Sequence, residues 1–323
     1  MTYSTGGLIQ AADFNAFAGN INAFWGNTTS GSLGWGQGNV AFVSTSGVVT
    51  ATNWATLVNN LATASNQTGQ AITSRTAPVT GNVVAILANV ATDITNLTTS
   101  SANAVASGTQ YTGWTGTASK TTATGSGSTP WTITFTNTVT WASADAARYF
   151  WNAGGLVKWE TSKTADTTAA DTAWNDLANT LVGDIYISNG AGTQTIASVP
   201  YTGTTKINGT GTPTTLLTTV GWYDLTTSDT LIYQQYADTS PYSGQYIAIN
   251  AKTAGSGTQL VLTTTWVDPG GSTTGSSDDI SGGTATTGIT FGTAPATVVT
   301  YFPPSSTYLS AAWGTPTVAA TVA

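Results

Sequence analysis

The stretch TVTWASADAARYFWNAGGLVKWETSK, residues 138–163, decides how this chain is read. Thr138 to Trp141 alternates small polar with large apolar side chains, the pattern of a half-buried strand. Asp145, Ala146 and Ala147 interrupt it, and Arg148, Tyr149, Phe150 and Trp151 then present four large side chains in a row. Asn152-Ala153-Gly154-Gly155 is a turn, because two glycines reach positive φ at little cost. Alternation returns from Leu156 to Glu160, with Leu156 on one face and Val157 and Trp159 on the other. The pattern predicts a strand, a short crossing and a hairpin, then an amphipathic helix over Asp166 to Leu181 with Trp174, Leu177, Ala178 and Leu181 on one face.

Downstream, the chain breaks into short alternating runs separated by Gly, Pro and Asp turns. Strands are expected at residues 184–188, 221–225, 230–236, 244–252, 259–268, 288–292 and 297–302. Ala254-Gly255-Ser256-Gly257 separates the two clearest runs and predicts a hairpin. After Pro303-Pro304 the tail is apolar and lightly patterned, suited to adding an edge strand to a neighbour.

Upstream, the periodicity changes to that of helices. Phe14, Phe17, Ile21 and Phe24 form one apolar stripe ended by Gly26. Trp54, Leu57, Leu61 and Ala64 form a second, with Thr52 or Asn53 as its cap and Gly69 as its stop. Val83, Leu87, Val90, Ile94 and Leu97 alternate four and three from a start near Thr80, which fits either an internal bundle or a seam between chains. The expected organisation is α+β and mainly β: a helical attachment or oligomerisation region at 1–106, then a Thr/Gly/Ser-rich linker at 107–129. An antiparallel β-sandwich or jelly-roll-like domain follows at 130–302, and a tail at 303–323.

Composition narrows the function classes. Charged residues make up 7% of the chain, against about 25% in an ordinary globular protein, and Thr supplies about a fifth. Thr is β-branched and hydroxylated, so it wets the outer face of strands. Weak surface charge lets subunits approach without repulsion, as packing into an assembly requires. The net charge of −7, with seven scattered basic residues, argues against a nucleic-acid partner. Without Cys or His, thiol and imidazole chemistry and most zinc or iron sites are excluded, and no cofactor is expected. No run approaches the length of a membrane span, and residues 1–10 lack the basic and apolar parts of an export signal.

Catalysis finds little footing. Glu160 is the only Glu, and no spacing among the 14 acids singles out a glycosidase-like pair. Asp278-Asp279 near Asp268 offers oxygen ligands without the regular spacing of a calcium loop, and a solvated turn accounts for it. Arg148 fits an ion pair with Asp145, a stack on an aromatic neighbour, or a subunit contact. Tyr236, Tyr242 and Tyr246, in the loop YADTSPYSGQY, are the candidates for receptor contact, although turn residues alone also explain that loop.

DAARYFWNAGGLVKWETS, with TAWNDLANTL behind it, resembles a segment that recurs in virion structural proteins of tailed bacteriophages, especially phages of marine bacteria and cyanobacteria. Their usual form is ARYFFNAGG, where this chain carries Trp151 in place of the second Phe. GLIQAADFNAFAGNINAFWG, the GWGQ at Gly34 to Gln37 and VTATNWATLVNNL resemble the amino-terminal part of the same proteins. The resemblance covers roughly the first half of the chain and brings no catalytic motif. It implies a non-enzymatic virion component, a tail fibre or appendage subunit first, a capsid or neck protein second, with a glycan-binding or glycan-cleaving module as the remaining class. The implied partners are further copies of itself in a homotrimer, other virion proteins, and a host surface glycan or protein. The implied location is the virion, made in the host cytoplasm and released by lysis.

Overall fold

The apolar stripes read from the sequence become three helices. The computed structural model describes residues 10–27, 33–80, 89–103, 118–119, 122–123, 130–163, 169–196, 199–269, 289–290 and 295–323. α1 (Ala11–Trp25) buries Phe14, Phe17, Ile21 and Phe24 completely and ends where the Gly26 N–H reaches the Asn22 carbonyl. α2 (Ala51–Thr68) starts two or three residues earlier than expected. Its cap is Thr50, whose hydroxyl accepts from the Asn53 N–H while the Asn53 side chain accepts from the Thr50 N–H, a reciprocal box that neither Thr52 nor Asn53 could make alone. Gly69, at φ 70°, stops it as predicted.

α3 (Val90–Ser100) begins after Asn89, which sits at φ 62°. The helix therefore does not run unbroken from near Thr80; Val83 and Leu87 lie outside the described residues. Val90, Ile94 and Leu97 are buried against α1 and α2 inside the single chain. Trp54 meets the ring of Phe14 edge-on at 5.2 Å, so the first two stripes close on each other.

The β-rich part has β1 (Ala118–Ser119), β2 (Thr122–Ala123), β3 (Trp131–Thr140), β4 (Leu156–Ser162), β5 (Asp184–Ile187), β6 (Gln194–Ile196), β7 (Val199–Tyr201) and β8 (Thr204–Ile207). It continues with β9 (Thr215–Leu216), β10 (Thr230–Tyr236), β11 (Tyr246–Ala254), β12 (Gln259–Asp268), β13 (Ile289–Thr290), β14 (Ala296–Phe302) and β15 (Thr317–Val322). One sheet has the order β1-β14-β4-β5-β8 and the other β15-β3-β12-β11-β10-β9, with every pairing antiparallel. Thr297 of the first sheet donates to buried Asn137 of the second at 3.2 Å, across the space between them. At the margins β1 lies beside β15 and β8 beside β9, so the ends of the two sheets approach each other. The fold is α+β and mainly β, with helices first and two antiparallel sheets after.

Four further expectations are corrected. The short crossing after Trp141 is a helix, α4 (Ala144–Asn152), capped by the Ser143 hydroxyl on the Ala146 N–H at 3.0 Å. It carries the chain from one sheet to the other, because β3 and β4 belong to different sheets. Gly154, at φ 101°, turns α4 into β4 and closes no hairpin. The strand expected at 221–225 is a 3-10 turn, Trp222–Asp224, held by the Asp224 carboxylate accepting from the Gly221 N–H at 3.0 Å. The carboxy-terminal strand is spent at home: β15 pairs with β3 of its own chain from Thr317 opposite Thr140 to Val322 opposite Phe135.

The predicted helix before Leu181 is α5 (Ala169–Asp176) continued by a π-helical turn, Leu177–Leu181. It is wedged between the sheets, with the π turn beside β4 of one and β10 and β11 of the other. Trp174 stacks on Trp266 at 5.2 Å and tilts against Trp131 at 5.2 Å. One apolar core therefore runs from α1 through both sheets; of the linker expected at 107–129, residues 118–119 and 122–123 are strands β1 and β2, and the rest lies outside the described residues. Replacing this fully buried indole, Trp174→Ala, is expected to cost about 3–5 kcal/mol, read as a lowered urea midpoint with an unchanged slope.

Candidate functional site

Two amides, a phenol and a guanidinium gather the amino-terminal part onto α4 and its carboxy-terminal cap. Arg148 donates to the Leu33 carbonyl at 2.8 Å and to Asp145 Oδ1 at 2.9 Å, and its guanidinium carbon lies 4.7 Å from the centre of the Tyr149 ring. Asn152 donates to the Gly34 carbonyl at 3.0 Å and accepts from the Tyr223 hydroxyl at 2.7 Å. The Tyr149 hydroxyl donates to the Asn27 carbonyl at 3.0 Å, and Gln67 donates to the Ala153 carbonyl at 2.9 Å. Gln37 adds the carboxy-terminal segment, donating to the Ser310 carbonyl at 3.0 Å and accepting from the Ser310 N–H at 2.9 Å. Of the roles open to Arg148, the ion pair and the aromatic stack are both present, and its side chain is only 10% exposed. It works as an internal clasp.

Gly36 shows how closely the parts meet. At φ 71° it lies against the Tyr149 ring, where an added Cβ would fall 2.5 Å from Tyr149 Cδ2 and 2.7 Å from the Ala312 Cβ.

The three candidate tyrosines do not share one surface. Tyr236 and Tyr246 face each other across the β10–β11 pair with ring centres 5.1 Å apart, and both are half-buried. Tyr242 turns the other way and packs on Ala173 of α5, forming a small apolar pair separate from the main core. The loop between them is tied by the Ala237 N–H to the Gln245 carbonyl and the Gln245 N–H to the Tyr242 carbonyl, both at 2.9 Å, and it contains a cis Ser240–Pro241 bond. Between this loop and α5 lies an open cleft of about 580 Å³. Asn175 and Asp176 line it from the helix, and Ser240, Pro241 and Tyr242 from the loop. Asn175 is fixed by donating to the Lys163 carbonyl at 2.6 Å, and Asn179, one turn on, donates to the same carbonyl. Sequence reasoning found Tyr242 and missed Asn175 and Asp176. Their only signal was a position beside the predicted apolar face of that helix.

A smaller cleft, about 180 Å³, lies between α2 and residues 72–75. Arg75 there makes a buried ion pair with Asp93 at 2.5 Å, and the same carboxylate accepts from the Thr73 N–H at 3.2 Å. Among the described residues no three Asp or Glu side chains gather as a metal site, and Asp278 and Asp279 lie outside them. Asp268 is buried and accepts from the Gln245 amide at 3.0 Å. Comparison with protein-family models, with curated proteins and with solved structures finds no match to the chain.

Two measurements probe the junction. Gly36→Ala forces both a strained φ and a clash with Tyr149, and is expected to destabilise by about 2–4 kcal/mol by urea unfolding. Burial raises the hydroxyl pKa of Tyr149, Tyr186, Tyr223 and Tyr233, and that of Tyr186 is pushed up to about 12, helped by the charges of Asp184 and Glu160. The unfolded chain then loses these protons first, near an ordinary value of about 10. The stabilisation is fully present below that pH and falls as pH rises through the window from about 10 to about 12. Urea midpoints measured up that range should drop, and tyrosinate absorbance should show these groups ionising together with unfolding.

Proposed function

We propose that the chain is a non-enzymatic structural subunit of a tailed-phage virion, a tail fibre or appendage component that acts by assembly and host contact. The observation that carries this reading is spatial. The GWGQ segment and the ARYFWNAGG segment, which carry much of the resemblance to phage virion proteins, lie more than a hundred residues apart and meet at the Asn152–Gly34 hydrogen bond and where Gly36 lies against the Tyr149 ring, with Arg148 bonded to Leu33 just ahead of GWGQ. Segments that resemble one group of proteins and also form one junction behave as a single module.

Composition supports the same reading. A surface wetted by Thr, Ser and Asn at 7% charged residues suits close packing among subunits, and a chain without His or Cys is poorly equipped for catalysis. Its partners in this reading are copies of itself as a homotrimer, neighbouring virion proteins, and a molecule on the host surface. The stripes on α1 and α3 are buried within one chain, so trimer contacts would come from other surfaces. Phe42, Val48 and Val79 are exposed large apolar side chains in the helical half and serve that role here.

Immunogold electron microscopy with antibody to the purified chain, on gradient-banded particles of the encoding phage, tests the reading. Label on tail appendages is expected; label over the shell would move the chain to the capsid or neck, and unlabelled particles would overturn the virion assignment. Light scattering on the purified chain is expected to give three times the 32.8 kDa chain mass.

A further inference from the structure

We infer that the cleft between α5 and the β10–β11 loop is a binding site for a neutral pyranose sugar. Its volume of about 580 Å³ falls within the roughly 300–1,000 Å³ of small-molecule sites. Its lining is divided the way a sugar ring is. Ala173, Pro241 and the ring of Tyr242 give an apolar floor, which suits the C–H face of a pyranose. Asn175, Asp176 and Ser240 give polar groups around it, which suit the hydroxyl edge.

Three details select this ligand class over others. Asp176 carries the only charge among the described lining residues. A carboxylate in the lining repels phosphates, sulfates and acidic sugars, while it accepts well from the hydroxyls of a neutral one. Tyr242 is only 6% exposed, and its ring is held on Ala173 at the cleft. As a lining residue it brings a phenol that can both donate to and accept from a sugar hydroxyl. The walls are also fixed in advance, Asn175 by the Lys163 carbonyl and the loop by its two internal hydrogen bonds, so little ordering cost falls on binding. The assignment does not depend on where in a particle the chain sits.

The test uses the full chain and the methyl glycosides of glucose, galactose, mannose and N-acetylglucosamine, with N-acetylneuraminic acid as the anionic control. Saturation-transfer NMR reports binding and amide shifts locate it. The expected result is saturation transfer to at least one neutral glycoside, shifts confined to residues 172–176 and 238–242, and none with the acidic sugar. Asp176→Asn should weaken that glycoside about tenfold, through loss of a charge-assisted hydrogen bond. Tyr242→Phe keeps the ring packed on Ala173 and should weaken it about three- to tenfold. Silence with every neutral glycoside, shifts elsewhere on the molecule, preference for the acidic sugar, or unchanged affinity in both variants would each overturn the assignment. None of these outcomes bears on whether the chain is found in particles, which immunogold decides separately.

Discussion

Side-chain amides bonded to main-chain groups hold the parts of this molecule together, and they do what ion pairs do elsewhere. Asn15 and Asn22, two turns apart on α1, each grip the following extended segment twice, donating to the carbonyls and accepting from the N–H groups of Val43 and Val40. Gln37, Gln67, Asn152 and Asn189 repeat the device between more distant parts, Asn189 reaching the Ala102 carbonyl at 3.3 Å. An amide offers a donor and an acceptor without the desolvation cost of a buried charge, and it needs no counter-ion. Each bond nets only about 1 kcal/mol, but removing one partner strands the other in the core at about 1–3 kcal/mol. That asymmetry makes the loops specific.

The same constraint explains Arg148. A guanidinium in so uncharged a chain is kept where a flat, five-donor group can reach a carboxylate, a carbonyl and an aromatic face together. Around it the aromatic packing continues without a break. Phe150 and Trp151 of α4 both meet Trp141, and Trp151 stacks on Trp222 at 5.4 Å. α4 thus joins helices to sheets by polar bonds on one side and by stacked rings on the other.

What the sequence disclosed follows from which forces are local. Phe14, Phe17, Ile21 and Phe24 declare a helix because their spacing repeats its turn. Gly255 and Gly257, at φ 60° and 86°, likewise declare the β11–β12 hairpin. α4 was hidden because it is only nine residues long and is buried throughout from Ala146 to Asn152, so that its polar face, Arg148 and Asn152, meets protein instead of water. β4 shows the same effect, buried on both faces where alternation suggested one. The cleft was hidden for another reason: Asp176 and Tyr242 come from separate elements, and only the wedging of α5 between the sheets brings them together. Whether apolar stripes close within a chain or between chains is likewise a property of the partners available and leaves no mark in spacing.

The topology also sets an order in time. β3 lies between β12 and β15, and β4 between β5 and β14, so three of these four partnerships wait for residues beyond 258. As the chain leaves the ribosome, two strands that end up inside the sheets spend much of the period of synthesis with bare edges. The helices, whose contacts are near in sequence, can close in that interval. The molecule is therefore completed from its later residues backward, and neither sheet is whole until residues 296–322 have emerged.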